Sequence, residues 1–397
     1  MIKAGKETIK CINKQNILNS FCGSSNVSKS DIISATGLSA ATVSSLIQEL
    51  VDENFVTEHC YGKSSGGRKP MLYNLNRSLA FILTVRITPK GILAGVINLN
   101  AELVYYKAFP SRIYSTQSLR DALDQSVADL RSSEPELFAK ISVVAYSIPG
   151  VVDYSTRVVV YSAALYLEDC DLQQFTAAAL GRSLEVYVFK DTDALVLGEY
   201  YSNMQDQRNM AYILCESGVG MSIINRGKLL RIDNCGLELG HTTIDLHGEI
   251  CKCSSVGCVG TLLGELAAVH RYAKLYEQQK NDFLLDITTI SYDDIVTMHL
   301  EHSDGIATQV LAEQLEIMAV SITNVVNLFN PDVVIVGGPM ARLPELEEKL
   351  TEQVRAHALK PFTRNLVICS SKQNANSSLS GMANYVLRKQ FFKPVSL

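Results

Sequence analysis

The sequence has no run of about 18 uninterrupted apolar residues, which is the length that a membrane-spanning helix requires. Its first residues, Met1–Glu7, include two lysines and lack the apolar core of a secretory signal. It also lacks long tracts of one residue type, and with 47% hydrophobic and 19% charged residues it has the composition of a folded globular protein. We therefore expect a soluble, cytoplasmic protein without membrane contact. Because 397 residues exceed the roughly 100–200 that one domain usually holds, we expect two or three domains.

Charge of either sign is scarce, and the formal net charge is only −5. Residues 1–80 nevertheless contain nine Lys and Arg against six Asp and Glu, a balance of +3 that leaves −8 for the rest of the chain. Only the N-terminal segment therefore has a balance that favours a polyanion. A difference of this size is also common on ordinary solvated surfaces.

Three helical patterns occupy the start of the chain. The first covers 7–21 and is interrupted by a polar turn at 23–26. The second covers 31–35, where Ser28 can cap the helix and Gly37 suits the left-handed conformation that ends one. Ser39 can then cap a third helix. Its apolar stripe consists of Val43, Leu46, Ile47 and Leu50. Two helices joined by a short turn with glycine predict a helix-turn-helix unit.

The opposite face of the third helix is small, polar and free of acidic residues over its first two turns, so it can enter a major groove about 12 Å wide. We predict that DNA contacts come from this face: Ser39, Ala40, Thr42, Ser44, Ser45 and Gln48. Gln48 has the amide that pairs with an adenine edge. A small helical bundle with a polar outer face is the alternative.

A basic, glycine-rich loop follows between two strand patterns, at 55–61 and 71–75. It contains Lys63, Arg68 and Lys69, which can contact the phosphate backbone or the minor groove. This hairpin beside the third helix favours a winged helix-turn-helix over a flexible linker with incidental charge.

From about residue 80 the pattern changes to strands alternating with helices, which indicates an α/β fold. An antiparallel meander is predicted at 81–87, 91–99 and 103–109. Further strands are predicted at 141–148, 210–214, 221–225 and 333–336, with a long apolar helix near 309–329.

The ten cysteines are too few for a disulfide scaffold, yet three of them fall within eight residues. His241 with Cys251, Cys253 and Cys258 supplies a complete tetrahedral Cys₃His set for Zn²⁺. Such a closed site leaves no position for a catalytic water, so the zinc is expected to be structural and to order this loop. Reduced, unconnected thiols are the alternative.

In these features the sequence resembles the ROK family (repressor, ORF, kinase), in its transcriptional-repressor branch. The resemblance covers nearly the whole chain and rests on four motifs in order. They are the Thr36-Gly37-Leu38-Ser39 turn, the Ser64-Ser65-Gly66-Gly67-Arg68 loop, Glu238-x-Gly240-His241, and Cys-x-Cys-x₄-Cys. The resemblance implies an actin-like ATPase fold of two ribonuclease-H-like lobes, a structural zinc, a sugar site in a cleft and a homo-oligomer. We expect a winged helix-turn-helix at 1–76 and a ROK domain at 77–397, with lobe 1 at about 77–192 plus a C-terminal helix, lobe 2 at about 193–380, and the zinc loop at 241–258.

The stretch that matches the family's phosphate loop, Asp-x-Gly-Gly-Thr in the kinases, reads Val85-Arg86-Ile87-Thr88-Pro89-Lys90-Gly91, with Arg86 in the place of the aspartate. Because phosphoryl transfer depends on positioning nucleotide phosphates and metal, this loss predicts that the chain is not an enzyme and uses neither ATP nor Mg²⁺. The remaining glycine turns at 217–220 and 337–338 are interpreted as scaffold.

The sugar site that the resemblance implies is partly kept. Asp191 matches the kinases' catalytic aspartate, with Lys190 in place of asparagine, and Glu238 and His241 match other sugar-contacting positions. Asp191 serving only as a helix N-cap, and His241 serving only zinc, are the alternatives. Lys190 suggests a ligand that carries charge.

The expected function is a repressor of genes for carbohydrate uptake or catabolism, responsive to a sugar or sugar phosphate. It is expected to bind a palindromic operator in double-stranded DNA as a homodimer or a dimer of dimers. Two alternatives stay open at this point: a sugar kinase with an appended DNA-binding module, and a regulator controlled by a partner protein instead of a sugar.

Overall fold

The computed structural model describes residues 6–21, 24–62, 69–232, 236–280 and 289–391. The helices are α1 (Lys6–Asn19), α2 (Lys29–Thr36), α3 (Ala40–Asp52), α4 (Thr116–Ser133), α5 (Pro135–Ala139), α6 (Leu172–Leu180), α7 (Asp191–Asn203), α8 (Val259–Leu262), α9 (Glu265–Lys280), α10 (Tyr292–His302), α11 (Gly305–Phe329), α12 (Leu346–His357), α13 (Lys360–Thr363) and α14 (Ala375–Val386). The strands are β1 (Val27–Ser28), β2 (Val56–Tyr61), β3 (Met71–Leu75), β4 (Phe81–Thr88), β5 (Gly91–Asn98), β6 (Leu103–Pro110), β7 (Ile141–Ile148), β8 (Val151–Asp153), β9 (Val158–Ser162), β10 (Leu167–Asp171), β11 (Glu185–Lys190), β12 (Met210–Cys215), β13 (Val219–Asn225), β14 (Lys228–Leu229), β15 (Val333–Gly337) and β16 (Val367–Ser370).

The chain forms two compact units, one ending at Phe189 and resuming at Leu379, the other spanning Lys190–Ser378. This division does not test a boundary at residue 76, so the domain limits given above stay predictions.

Local capping signals fix the helices of the N-terminal region. The Ser28 hydroxyl accepts a hydrogen bond from the Asp31 N–H at 3.2 Å, and the Asp31 carboxylate accepts one from the Ser28 N–H at 2.9 Å, so α2 begins with a reciprocal capping box. Gly37 ends α2 at φ +69°, in the left-handed region. These predicted helix limits are confirmed to within two residues. Strands β2 and β3, after the helices, form an antiparallel hairpin, and β1, between α1 and α2, adds to β3 to give a three-stranded sheet in the order β1-β3-β2.

The apolar stripe of α3 is buried, as its spacing predicted. Val43, Leu46, Ile47 and Leu50 are at most 4% exposed, and Ile17 and Phe21 of the first helical segment are buried as well. Helix α1 contacts α3. Burial of one face of α3 leaves its opposite face on the surface of this small core.

The first of two five-stranded sheets has the order β11-β7-β4-β5-β6. Strands β4, β5 and β6 form the predicted antiparallel meander, and β7 adds to β4 in parallel. Helix α4 packs on this sheet through Leu119, Leu123, Val127 and Leu130.

The second sheet has the order β14-β13-β12-β15-β16, with β12 to β14 antiparallel and β15 and β16 added in parallel. Numbered within each sheet, both orders read 5-4-1-2-3, so one topology occurs twice. The prediction of two ribonuclease-H-like lobes in an α/β fold is confirmed by this repetition. The buried helix α11 extends over 25 residues and supplies much of the core beside the second sheet.

Strands β8, β9 and β10, which lie between β7 and α6 in the chain, form a small antiparallel sheet. No pattern in the sequence analysis predicted it, because its strands are only three to five residues long and alternate too few side chains to give a clear period.

Candidate functional site

The exposed face of α3 carries no charge over its first two turns. Ala40, Ala41, Ser44, Ser45 and Gln48 are all exposed on the side away from the buried stripe. Ser39 caps the helix, with its hydroxyl accepting from the Thr42 N–H at 3.2 Å. The predicted residues of this helix therefore lie on one accessible surface, apart from Thr42, which is half-buried. Small uncharged side chains of this kind let a helix approach base edges closely.

Two carboxylates near the end of this face are engaged within the protein. The Gln48 Nε2 donates to Asp52 Oδ1 at 3.0 Å, which leaves the amide carbonyl oxygen as the acceptor at its other end. Glu49 pairs with Lys10 at 2.8 Å and Lys14 at 2.9 Å, both on α1, and the hydrogen bond from Lys10 holds the pKa of Glu49 below its usual value. The exposed face thus loses most of the repulsion that an unpaired Glu49 would exert on a phosphate.

The predicted basic loop connects β2 to β3, the two strands of the hairpin beside α3. Lys69, two residues before β3 begins, is exposed. The other two predicted contacts, Lys63 and Arg68, lie outside the described residues.

The structure brings together the four predicted metal ligands, His241, Cys251, Cys253 and Cys258. Their ligand atoms all lie within 4.8 Å of one another. Cys251 Sγ is 3.6 Å from His241 Nδ1, and Cys253 Sγ is 3.7 Å from Cys258 Sγ. A tetrahedral zinc with Zn–S bonds of about 2.3 Å and Zn–N bonds of about 2.0–2.1 Å places such pairs about 3.5–3.8 Å apart. The donor types and these separations fit a four-coordinate metal.

Backbone hydrogen bonds of the loop hold the cysteines in place. The Cys251 N–H donates to the Ser255 carbonyl and the Ser254 N–H donates to the Cys251 carbonyl, both at 2.8 Å. A hydrogen bond from the Ser255 backbone lowers the pKa of Cys253 to about 7, whereas burial raises that of Cys258 to about 11. The loop geometry needs Gly257, because its φ is +65° and a Cβ there would collide with the Asp245 carbonyl oxygen.

The three predicted sugar contacts lie in the second unit, and none of them is deeply buried. Asp191 is the first residue of α7, and its Oδ1 accepts from the Thr192 N–H at 2.7 Å. The alternative that Asp191 is the N-cap is wrong, because Lys190 holds that position. Glu238 precedes a short 3-10 helix that ends at His241, whose N–H donates to the Glu238 carbonyl at 3.0 Å.

Lys190 is not available to a ligand in the way the sequence suggested, because it already has an anionic partner. Its Nζ donates to Glu238 Oε1 at 2.7 Å and to the Gly236 carbonyl at 3.3 Å. The lysine side chain is only 7% exposed and the glutamate 34%. An exposed ion pair contributes about 0–1 kcal/mol, but breaking a buried one costs about 3–5 kcal/mol because a charge is left without a partner. The cost of breaking this pair therefore lies between these limits. It is higher when Glu238 is removed, because the more deeply buried Lys190 is then left without a partner.

A buried polar network of Asp193, Thr192 and Ser222 holds the backbone of Lys190. The sequence did not predict this network. Asp193 accepts from the Lys190 backbone N–H at 3.3 Å and from the Ser222 hydroxyl at 2.6 Å, while Thr192 and Ser222 share a further hydrogen bond of 2.8 Å. Asp193 stands three residues after the N-cap, which is the one signal in the sequence that predicted its backbone contact. Its partner Ser222 comes from β13 and could not be inferred locally.

Packing explains the glycine turns that resemble phosphate loops. A Cβ on Gly220 would lie 2.9 Å from Thr192 Cγ2, and one on Gly338, at φ +95°, would collide with the Cys215 carbonyl oxygen. Arg86, in place of the kinases' aspartate, is half-buried on β4. The two turns thus require glycine whether or not a phosphate binds there.

None of the helices that the structure describes combines the length and the apolar character that crossing a bilayer demands.

Comparison with known proteins assigns most of the chain to one family model. The model described as ROK family matches residues 83–389. Among curated relatives, the xylose repressor of Caldicellulosiruptor bescii is 27% identical over 390 residues, which covers 96% of this chain and 96% of that protein.

The similar solved structures differ in how much of this chain they cover. A ROK family transcriptional regulator, described as a homologue of the E. coli MLC protein, covers 97% of both chains with a TM-score of 0.81 and 22% identity. The ROK family glucokinase from Streptomyces griseus, in complex with glucose and AMPPNP, is covered to 99% but matches only 77% of this chain, with a TM-score of 0.63 and 19% identity. The regulator thus shares the fold of nearly the whole chain, and the kinase shares only a part of it.

Proposed function

The chain belongs to the ROK family, and on that premise we propose that it is a DNA-binding transcriptional repressor of carbohydrate genes that responds to a sugar-type effector. The observation that carries the proposal is the exposed face of α3, which is uncharged over its first two turns. The family model begins only at residue 83, whereas the similarity to the xylose repressor and to the transcriptional regulator extends over nearly the full length.

In this proposal residues up to about 76 form a winged helix-turn-helix. Helix α3 enters the major groove, where Ser39, Ala40, Thr42, Ser44, Ser45 and Gln48 contact bases and nearby phosphates. Lys63, Arg68 and Lys69 of the hairpin loop anchor the sugar-phosphate backbone. A homodimer or dimer of dimers places two such heads on a palindromic operator in the cytoplasm.

The Cys₃His cluster is proposed to hold one structural Zn²⁺. The supporting observation is that the thiol–thiol and thiol–imidazole separations fit tetrahedral coordination. Four protein ligands leave no open coordination position, so the metal would stabilise the 241–258 loop and take no part in a reaction.

We assign the effector site to Asp191, Glu238 and His241, where the carboxylates of Asp191 and Glu238 would accept hydrogen bonds from hydroxyl groups. ATP and Mg²⁺ are not expected to be needed, because Arg86 replaces a carboxylate that phosphoryl transfer uses and places positive charge there instead. Effector binding controls DNA affinity only if it favours one of the two states over the other.

The test is an electrophoretic mobility shift of the full chain on DNA from upstream of its own gene and neighbouring carbohydrate genes. We expect a specific complex that survives excess competitor DNA and is weakened by an effector. As a control, a chain with Ser44 and Ser45 both replaced by Glu keeps the fold, because both positions are exposed, but repels the phosphate backbone.

Equal binding of the wild type and the double glutamate variant would contradict the assignment of α3. Phosphorylation of a hexose by the same preparation with Mg-ATP would instead favour the kinase alternative, which the similarity to the glucokinase motivates.

A further inference from the structure

The chain passes between its two compact units at two places, and both lie in regular secondary structure. The first is the junction of β11 and α7, between Phe189 and Lys190. The second lies inside α14, between Ser378 and Leu379. Because α14 continues through this crossing without a break, a displacement of its first turn is carried along the whole helix.

The start of α14 is pressed against α7 within the second unit. A Cβ on Gly198 of α7 would collide with the side-chain amide of Gln373 and would lie 2.7 Å from the Ser377 carbonyl oxygen. Packed protein surfaces of this kind leave no space to absorb a shift. A movement of α7, whose first residue is the proposed effector contact Asp191, therefore displaces the first turn of α14.

The rest of α14 lies against β11, the strand that leads into α7. The Tyr385 ring meets the Phe189 ring edge-on at a centroid distance of 5.3 Å, and the Tyr187 hydroxyl donates to Gln390 Oε1 at 3.2 Å. The apolar side chains that α14 buries completely are Leu379, Met382 and Val386. Helix α14 is thus attached to the elements on both sides of the first crossing.

A π-helical turn, Leu387–Phe391, follows α14 and ends at a small cavity in the N-terminal region. Phe391 lines this cavity together with Lys14 of α1 and with Leu50 and Glu53 at the end of α3. The cavity has a volume of about 110 Å³, whereas ligand pockets usually enclose about 300–1,000 Å³. We therefore interpret it as the place where the end of the chain meets the helices of the proposed DNA-binding region.

Phe391 shares this cavity with the ion pairs that join α1 to α3. Lys14 Nζ is 2.6 Å from Glu53 Oε1 and 2.9 Å from Glu49 Oε2. An aromatic ring at the cavity limits the water around these charges, which strengthens their attraction. When the ring leaves, water weakens the pairs, and Glu49 becomes free to repel a DNA phosphate.

The π-helical turn supplies the two states that a coupling between distant sites needs. A turn closed by i→i+5 hydrogen bonds holds one residue more than the i→i+4 turn of an α-helix. Relaxation of the turn to an α-helix therefore rotates the residues at its end by about 100° around the helix axis. Such a rotation moves Phe391 away from the cavity.

We propose that α14 and the π-helical turn couple the start of α7 to the exposed face of α3. With Phe391 at the cavity, as in this structure, the ion pairs between α1 and α3 are protected and the chain binds DNA. Effector binding at the start of α7 displaces α14 through the contact at Gly198, the π-helical turn relaxes, and Phe391 leaves. This regulation rests on the proposed function, because it takes the effector site from Asp191 and the DNA-binding face from α3.

Alkylation of Cys11 in the full chain, without DNA or effector, tests the coupling. This cysteine of α1 also lines the cavity, so departure of Phe391 uncovers it. Gly198→Ala forces α14 away from α7, and we expect Cys11 to react with iodoacetamide about threefold faster or more, as measured by peptide mass spectrometry. Gly218→Ala is the matched control, because its added Cβ meets nothing within 4 Å, and it should leave the rate unchanged.

A second measurement uses the opposite direction, because the coupling between two sites is reciprocal. Phe391→Ala removes a half-buried ring near the end of the chain and is expected to keep the fold. Hydrogen exchange of the amides at 190–199 should quicken by about threefold or more, and the affinity for the DNA fragment that the wild type binds should fall about fivefold. Tyr114→Ala, which removes an exposed ring of the same unit, should change neither.

An unchanged Cys11 rate in Gly198→Ala would overturn the inference. If that variant unfolds, seen as alkylation of the buried Cys170, the exchange measurement decides. Equal exchange at 190–199 in Phe391→Ala and wild type would then reject the coupling. The two proposals fail separately. Absence of specific DNA binding by the wild type would refute the proposed function, whereas specific binding without any effect of Gly198→Ala on Cys11 would refute this inference alone.

Discussion

Gln48 is the residue of α3 with the most defined hydrogen-bonding chemistry. Its amide is anchored at one end by Asp52, so fewer rotamers compete with the orientation that would meet a base. The neighbouring alanines and serines carry either a methyl group or a hydroxyl, which give weaker discrimination among bases.

Replacement of Gln48 by Ala should reduce the preference for one base pair of the operator by about 1–3 kcal/mol, because a base-edge hydrogen bond is lost. Binding-site selection with both proteins measures this as a relaxed position in the recovered sequence. Lys69→Ala is the control: it should weaken all sequences alike, since phosphate contacts carry no sequence information. An unchanged preference in the Gln48 variant would place base recognition on other residues.

Replacement of Cys253 by Ser should remove the metal and destabilise the protein, because one of four ligands is lost. Metal content by mass spectrometry should fall from one ion per chain towards none, and the free energy of unfolding should fall by about 4 kcal/mol or more. Cys60→Ser is the matched control, an exposed cysteine on β2 remote in sequence from the cluster. Full metal content in the Cys253 variant would refute the four-ligand site.

At the scale of elements, the features that the sequence predicted are those encoded within a few residues. Ser28, Gly37 and Ser39 set helix ends by hydrogen bonds to their own neighbours, so their roles could be inferred from spacing. The grouping of His241 with the three cysteines was predictable because these side chains are rare and close in the chain.

Features that depend on distant pairing were not predictable. Glu238 lies 48 residues from Lys190, and nothing in the sequence around either residue indicates that the two side chains meet. The sequence instead suggested that Lys190 pairs with a charged ligand. The short strands β8 to β10 are defined only by their mutual pairing.

The loop that carries the cysteines should be sensitive to a single methyl group. Gly257→Ala combines a left-handed backbone with a collision at the Asp245 carbonyl. We expect a loss of about 1–3 kcal/mol from backbone strain, with weaker metal retention during dialysis against a chelator. In Gly218→Ala the added Cβ meets nothing within 4 Å, so that control should change stability by no more than about 0.5 kcal/mol. Equal behaviour of the two variants would show that the loop tolerates another conformation.

At the scale of the whole molecule, the chain repeats one sheet topology twice, and symmetric assembly would double the proposed DNA-binding face of α3. Each chain supplies one α3, so a two-fold operator needs at least two chains.

Insertion of 5 base pairs between the operator half-sites should abolish cooperative binding, because it rotates one half-site to the opposite side of the duplex. Insertion of 10 base pairs returns both half-sites to the same side of the duplex and should recover part of the affinity. Mobility shifts with the three spacings, together with the mass of the complex, measure both effects. Affinity that is indifferent to spacing would indicate independent monomers.

The lack of charge on the first two turns of the outward face of α3 has a consequence for how the protein discriminates its operator from the rest of the genome. Displacement of counterions from DNA depends on cationic contacts with phosphates, which the hairpin loop would make on any sequence. A rise in ionic strength should therefore lower occupancy of operator and non-operator DNA by similar factors. The ratio between them, which sets selectivity in a crowded chromosome, should remain nearly constant across osmotic changes.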